Sequence, residues 1–136
     1  MDDLEFLQAN VPQFEGYDSE EARHHSDQRV RAWVGSTFAD VQANLSSSLE
    51  PAVEKSFEDA ILRCQFPDQT YTIRMDGVTE VTPELVESLA QVDRQLVELA
   101  ARACKATAAE LPPILDDVFK TFEQRRLRAP APPPFV

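Results

Sequence analysis

Between residues 26 and 128 apolar side chains recur at helical spacing in four runs, while the stretches on either side show no such period. The first run is Val30, Val34, Phe38, Val41 and Leu45, in steps of four, four, three and four, with Trp33 and Thr37 on its shoulder. Ser26 or Asp27 is placed to cap it, and Ser46-Ser47-Ser48 ends it. The second run opens at Glu50-Pro51, because a proline in the first turn loses no hydrogen bond; its stripe is Val53, Phe57, Ala60, Ile61 and Cys64. Pro67 closes it by biasing Phe66 away from helical backbone.

The third run carries the most information. Thr82-Pro83-Glu84 combines a cap, a first-turn proline and an acid at the positive helix end. No glycine or proline follows until Pro112, so the spacing predicts a helix over residues 84–111, roughly 42 Å long if unbroken. Leu85, Leu89, Val92, Leu96, Leu99 and Ala103 repeat every 3.5 residues, the period of a coiled-coil seam. A second row of smaller residues, Val86, Ala90, Val97, Ala101 and Ala108, predicts close packing on another side. Pro112 or Pro113 can open the fourth helix, whose stripe is Leu115, Val118, Phe119 and Phe122. Its acids, Asp116 and Asp117, come early and its bases, Lys120, Arg125 and Arg126, come late, as the helix dipole favours.

The expected fold is all-α: an elongated helical hairpin or bundle with a coiled-coil segment, a flexible acidic N-terminal arm and a proline-rich C-terminal end. The arm covers residues 1–25, a head hairpin 26–68, an extended connector 69–81, a stalk 82–128 and a proline-rich linker 129–136. The connector is read from alternation, Tyr71, Ile73 and Met75 against Thr70, Thr72 and Arg74, before an Asp76-Gly77 turn. The arm is read from its charge, eight acids and one base over residues 2–27, with Pro12 and Gly16 interrupting any period. Its Leu4, Phe6, Leu7 and Phe14 would sit on a partner if the arm docks.

Charge and composition narrow the function classes. With 13 basic and 24 acidic side chains the net charge is −11, which repels nucleic acid and anionic membrane. The start, Met1-Asp2-Asp3-Leu4-Glu5, is acidic where a targeting signal would be basic, and no apolar stretch is long enough to span a bilayer. These features read as a soluble intracellular protein. Cys64 and Cys104 lack metal or disulfide spacing and read as small core residues.

No catalytic constellation emerges. His24-His25 diverge on a helix and have no cysteine nearby. Glu84 and Glu87 match one half of the paired-acid pattern of helical metal-dependent nucleotide hydrolases. The second half is missing, since the later segment reads Glu110-Leu111-Pro112-Pro113. Such a hydrolase is the rival reading. Glu58-Asp59 and Asp116-Asp117 do not converge, and Ser46 to Ser48 have no local base. The expectation is a non-enzyme without metal or cofactor.

Residues 28–123 resemble the Mis-fourteen/Nsl-one-type subunit of the kinetochore MIND complex. The resemblance runs through Gln28-Arg29-Val30-Arg31, Leu49-Glu50-Pro51-Ala52, Ser56-Phe57-Glu58-Asp59-Ala60, Thr72 to Gly77, and Thr82 to Arg102 with Leu96-Val97-Glu98-Leu99-Ala100. Asp76-Gly77 replaces the family's Asn-Gly, and the proline that follows its paired basics comes only at Pro112. The resemblance implies a helical scaffold subunit in the nucleus, at the kinetochore, forming a hetero-oligomer with a Dsn-type subunit and linking centromere to microtubule-binding proteins during chromosome segregation. On this reading Val30, Val34, Phe38, Val41, Phe57 and Ile61 build the shared head. Leu85, Leu89, Val92, Leu96 and Leu99 carry the stalk contact. The same eleven residues would also suit the core of a monomeric bundle, and a helical tethering adaptor outside the kinetochore would share the pattern.

Overall fold

The computed structural model describes residues 1–66, Asp68, Met75 and 81–128; their regular structure is helical, with no strand among them. Among the described residues five α-helices are given in full: α1 (Asp3–Asn10), α2 (Glu20–Leu45), α3 (Pro51–Gln65), α4 (Pro83–Lys105) and α5 (Leu111–Arg128). A 3₁₀ turn, Ala108–Glu110, leads into α5. The expected connector lies outside the described residues except Val81, half-buried, and Met75, which is helical and buried. The proline-rich linker lies wholly outside them.

Local chemistry sets most of the boundaries. Pro51 opens α3, and Phe66, the residue before Pro67, is extended at φ −110°, ψ 125°. At the start of α4, Thr82 accepts a hydrogen bond from the Leu85 amide at 3.2 Å, with Pro83 in the first turn. The expected 84–111 rod instead ends at Lys105. A capping box forms just beyond, in which the Thr107 amide donates to Glu110 Oε1 at 2.9 Å, and this starts a new turn. Pro112 and Pro113 then fall in the first turn of α5. The interruption is therefore a chain reversal: of the break or kink that Pro112 and Pro113 left open in the sequence, the structure has a break between two helices.

Two antiparallel hairpins result. In the first, Phe38 meets Phe57 edge-on at 6.1 Å, while Arg31 reaches the Cys64 carbonyl and Gln42 the Glu54 carbonyl. The rising numbers on α2 against falling numbers on α3 give the direction. Gly35 makes the close crossing possible, since a Cβ there would sit 2.9 Å from Cys64 Cβ. In the second hairpin Asp93 meets Arg125, while Arg102 and Asp117 line one surface, so α4 and α5 also run antiparallel. Helix α4 packs on α1, α2 and α5 together, which buries Leu89, Val92, Leu96, Leu99 and Ala103 of its first apolar row within the chain; of the second row Ala90 and Val97 are buried and Ala101 is exposed.

The N-terminal region departs furthest from expectation. Residues 1–25 form no flexible arm. Asp2 caps α1 by accepting from the Glu5 amide at 2.8 Å, and Leu7, Val11 and Tyr17 are buried. Helix α2 starts at Glu20, capped by Ser19, rather than at Ser26 or Asp27. Ser26 is instead a buried clamp, donating to the Gly16 carbonyl at 2.7 Å and accepting from the Glu15 amide at 3.0 Å. Gly16 holds φ +79°, a conformation that favours glycine. The apolar residues expected to dock on a partner pack on the chain's own core: Leu7 fully, Leu4, Phe6 and Phe14 partly.

Candidate functional site

A line of buried charge runs between the two hairpins. Asp93, 1% exposed, accepts from Arg125 Nε at 2.7 Å and from the Tyr17 hydroxyl. Arg125 Nη2 forms a close ion pair with Asp27 Oδ1. Arg31 Nε donates to Asp27 Oδ2 at 3.0 Å, and Arg31 Nη1 to the Cys64 carbonyl at 2.9 Å. Tyr17 before α2, Asp27 and Arg31 on α2, Cys64 on α3, Asp93 on α4 and Arg125 on α5 are thus tied together. Burial opposes ionisation of Asp27, but the guanidinium groups of Arg125 and Arg31 outweigh it and hold the carboxyl below its ordinary value. Burial pushes the Cys64 thiol up to about 11, with Arg125 and Arg31 offsetting part of that rise. At neutral pH Cys64 is therefore a thiol and a poor nucleophile.

This line opens into a small cleft. Arg31, Arg63, Arg125 and Arg126 line it with Phe66 and Phe122, around a volume of about 120 Å³. The Arg63 guanidinium lies 5.5 Å from the Phe122 ring centroid and 5.8 Å from that of Phe119, within cation–π range. Asp68 lines the cleft and Glu123 stands beside it, 2.7 Å from Arg126 Nη2. Arg31 spends Nε and Nη2 on Asp27 and Nη1 on the Cys64 carbonyl, and Arg125 meets Asp93 and Asp27, so both guanidinium groups are compensated within the chain. The cleft is smaller than the roughly 300–1,000 Å³ typical of small-molecule sites. Leu62 on the last turn of α3 and Phe66, which follows that helix and lines the cleft, remain 50% and 67% exposed.

The residues expected to bind a partner lie elsewhere. Val30, Val34, Phe38, Val41 and Phe57 are buried within the chain, as are Leu89, Val92, Leu96 and Leu99. Ile61 and Leu85 are partly buried against the same core. The structure brings these residues together, but with one another, so a partner would reach the nine buried ones only by opening the fold. Cys104 is exposed, against expectation, and Cys64 is buried. Glu84 and Glu87 stand exposed in the first two turns of α4, and among the described residues no group of three metal-ligating side chains converges. His25 pairs with Glu15 and His24 lies 3.9 Å from Glu20, both half-exposed.

Sequence reasoning missed both the buried charges and the exposed edge. A signal existed for each. Leu62 and Phe66 fall off the α3 stripe, and Asp93 falls beside Val92 inside an apolar seam. No helix among the described residues is long and apolar enough to cross a membrane. The chain matches no family profile, and neither a curated protein nor a solved structure is similar to it.

Proposed function

We propose that this chain is a non-catalytic helical interaction module, a scaffold subunit that holds a helical partner through the exposed edge of α3 beside the arginine cleft. The observation that carries this reading is the exposure of Leu62 and Phe66 next to Arg63, Phe122 and Arg126. Aromatic and arginine side chains around a small desolvated pocket are the composition in which interface hot spots concentrate. The resemblance of residues 28–123 supports the outer-kinetochore MIND complex in the nucleus as the assembly, with a Dsn-type subunit as the occupant. The contact then moves from the buried seam to the open edge, because Leu89, Val92, Leu96 and Leu99 are already occupied. A self-contained adaptor outside the kinetochore is the second reading, favoured by closure of the α4 seam within one chain.

The test is co-purification with a Dsn-type subunit, read beside light scattering and a helical melt of the chain alone. The expected result is a monomer that melts cooperatively and retains the partner. Leu62→Asp combined with Phe66→Asp should release the partner and leave the melt unchanged. Val92→Asp with Leu96→Asp would not serve, since both positions are buried and an unpaired charge there would unfold the chain. Failure of the native chain to retain the Dsn-type subunit removes the kinetochore reading. Retention by the double variant removes the α3 edge as the interface.

A further inference from the structure

A second surface, where α1 meets the start of α4, has the reverse chemistry. Leu4, Val81, Val86 and Ala90 floor a groove of about 510 Å³, large enough for several aliphatic side chains. Acids stand on both edges, Asp2 and Asp3 from α1 and Glu87 from α4, with Asp18 from the loop before α2. Among the described residues no lysine or arginine lines it. Asp2 is engaged in capping α1, and Asp3 lies 3.2 Å from Arg94. Asp18 and Glu87 make no ion pair among the described residues, so their charge is uncompensated at the groove.

We propose that this groove docks a basic amphipathic helix of a partner protein. An apolar floor between two acidic edges is complementary to an apolar stripe flanked on both sides by lysine or arginine. A helix presents that pattern at i, i+3 and i+4, whereas a strand alternates its two faces. The surrounding field adds to the attraction, because residues 2–27 carry eight acids and one base, and the whole chain carries −11. The rim gives orientation and encounter rate, and the floor gives retention. Together with the exposed Leu62 and Phe66, the chain then offers two separate surfaces, which suits a bridging subunit.

The probe is a labelled peptide of leucine and lysine, about five helical turns long, with its leucines on one face, followed by fluorescence anisotropy. A peptide of the same composition in scrambled order is its control. The native chain should bind the patterned peptide about tenfold more tightly than the scrambled one, since only the former can seat its leucines. Asp18→Lys with Glu87→Lys should weaken binding by about tenfold at low salt and less at high salt. Asp40→Lys with Asp116→Lys makes the same change in net charge away from the groove and should weaken it by no more than about twofold. Val86→Gln should lower affinity at every salt concentration. Equal binding of the two peptides, equal losses in the two charge-reversed pairs, or no binding at all would each overturn the proposal; equality would mean that net charge alone attracts the peptide.

Discussion

The α2–α3 hairpin and the join between the two hairpins are held by different physics. Within the first hairpin the contact is apolar and close: Phe38 on Phe57, and Gly35 against Cys64. Between the hairpins, apolar packing surrounds a buried line of Tyr17, Asp93, Arg125, Asp27 and Arg31. Apolar packing tolerates small shifts, because dispersion has little direction. Buried ion pairs do not, because each charge left without its partner loses both hydration and compensation. One contact therefore supplies cohesion and the other selects a single alignment of four elements.

The largest predicted effect separates the two. Arg125→Met leaves Asp27 and Asp93 buried without their shared cation and should cost about 5 kcal/mol in chemical denaturation. Adding Asp93→Asn should then cost less than the sum of the single changes by about 1–2 kcal/mol, since one uncompensated charge is gone. Strict additivity would show that the two groups do not act as a pair.

Phe57→Ala tests the apolar hairpin. It removes a fully buried ring and should cost about 4 kcal/mol, with no dependence on salt or pH. The next effect is smaller. Gly35→Ala gains helix propensity but drives its methyl against Cys64 Cβ, so the net should be a loss of about 1 kcal/mol. A gain in melting temperature would show that α2 and α3 can separate without cost.

The pH dependence sharpens the same contrast. The folded state holds the Asp27 carboxyl below its ordinary value of 3.8, so its contribution is complete above that pH and is lost as pH falls through the depressed folded value. An Asp27→Asn chain should lack this part of the acid-side loss, whereas Phe57→Ala should keep it. On the alkaline side, the folded Cys64 thiol at about 11 against an ordinary 9.0 gives stability that is full below 9.0 and falls as pH rises toward 11. The smallest effect is chemical. At neutral pH iodoacetamide should label exposed Cys104 and leave buried Cys64 unmodified until the chain unfolds, read by mass spectrometry.

The two ends of the chain show how far pattern reading reaches. α4 was legible because its apolar positions repeat over six turns, and its start was legible because Thr82-Pro83 admits few alternatives. α1 was not, since an eight-residue helix buries Leu7 alone and leaves no period to see. Its one local signal, Asp2 three residues before Glu5, is a capping pattern that marks a place for a helix to start but not whether tertiary contacts will hold it. Of the candidate surfaces, the off-stripe pair Leu62 and Phe66 was visible in principle. The α1–α4 groove was not, because Leu4 and Val86 are 82 positions apart in the chain.

What the amino-acid order determined by itself was helix: its period, its proline and threonine starts, and the all-α class. These follow from interactions within a few residues, which composition and spacing specify directly. What the seam of α4 faces was decided only in three dimensions. A 3.5-residue stripe is satisfied equally by a partner's helix or by the chain's own, and nothing local distinguishes them. The capping box at Thr107 and Glu110 turns the chain back, and α5, α2 and α1 then reach α4 before any partner can. The meeting of Asp27, Asp93 and Arg125 was likewise a tertiary outcome. A buried charge is tolerable only where opposite charges from other elements converge, and that convergence exists only after the hairpins have closed.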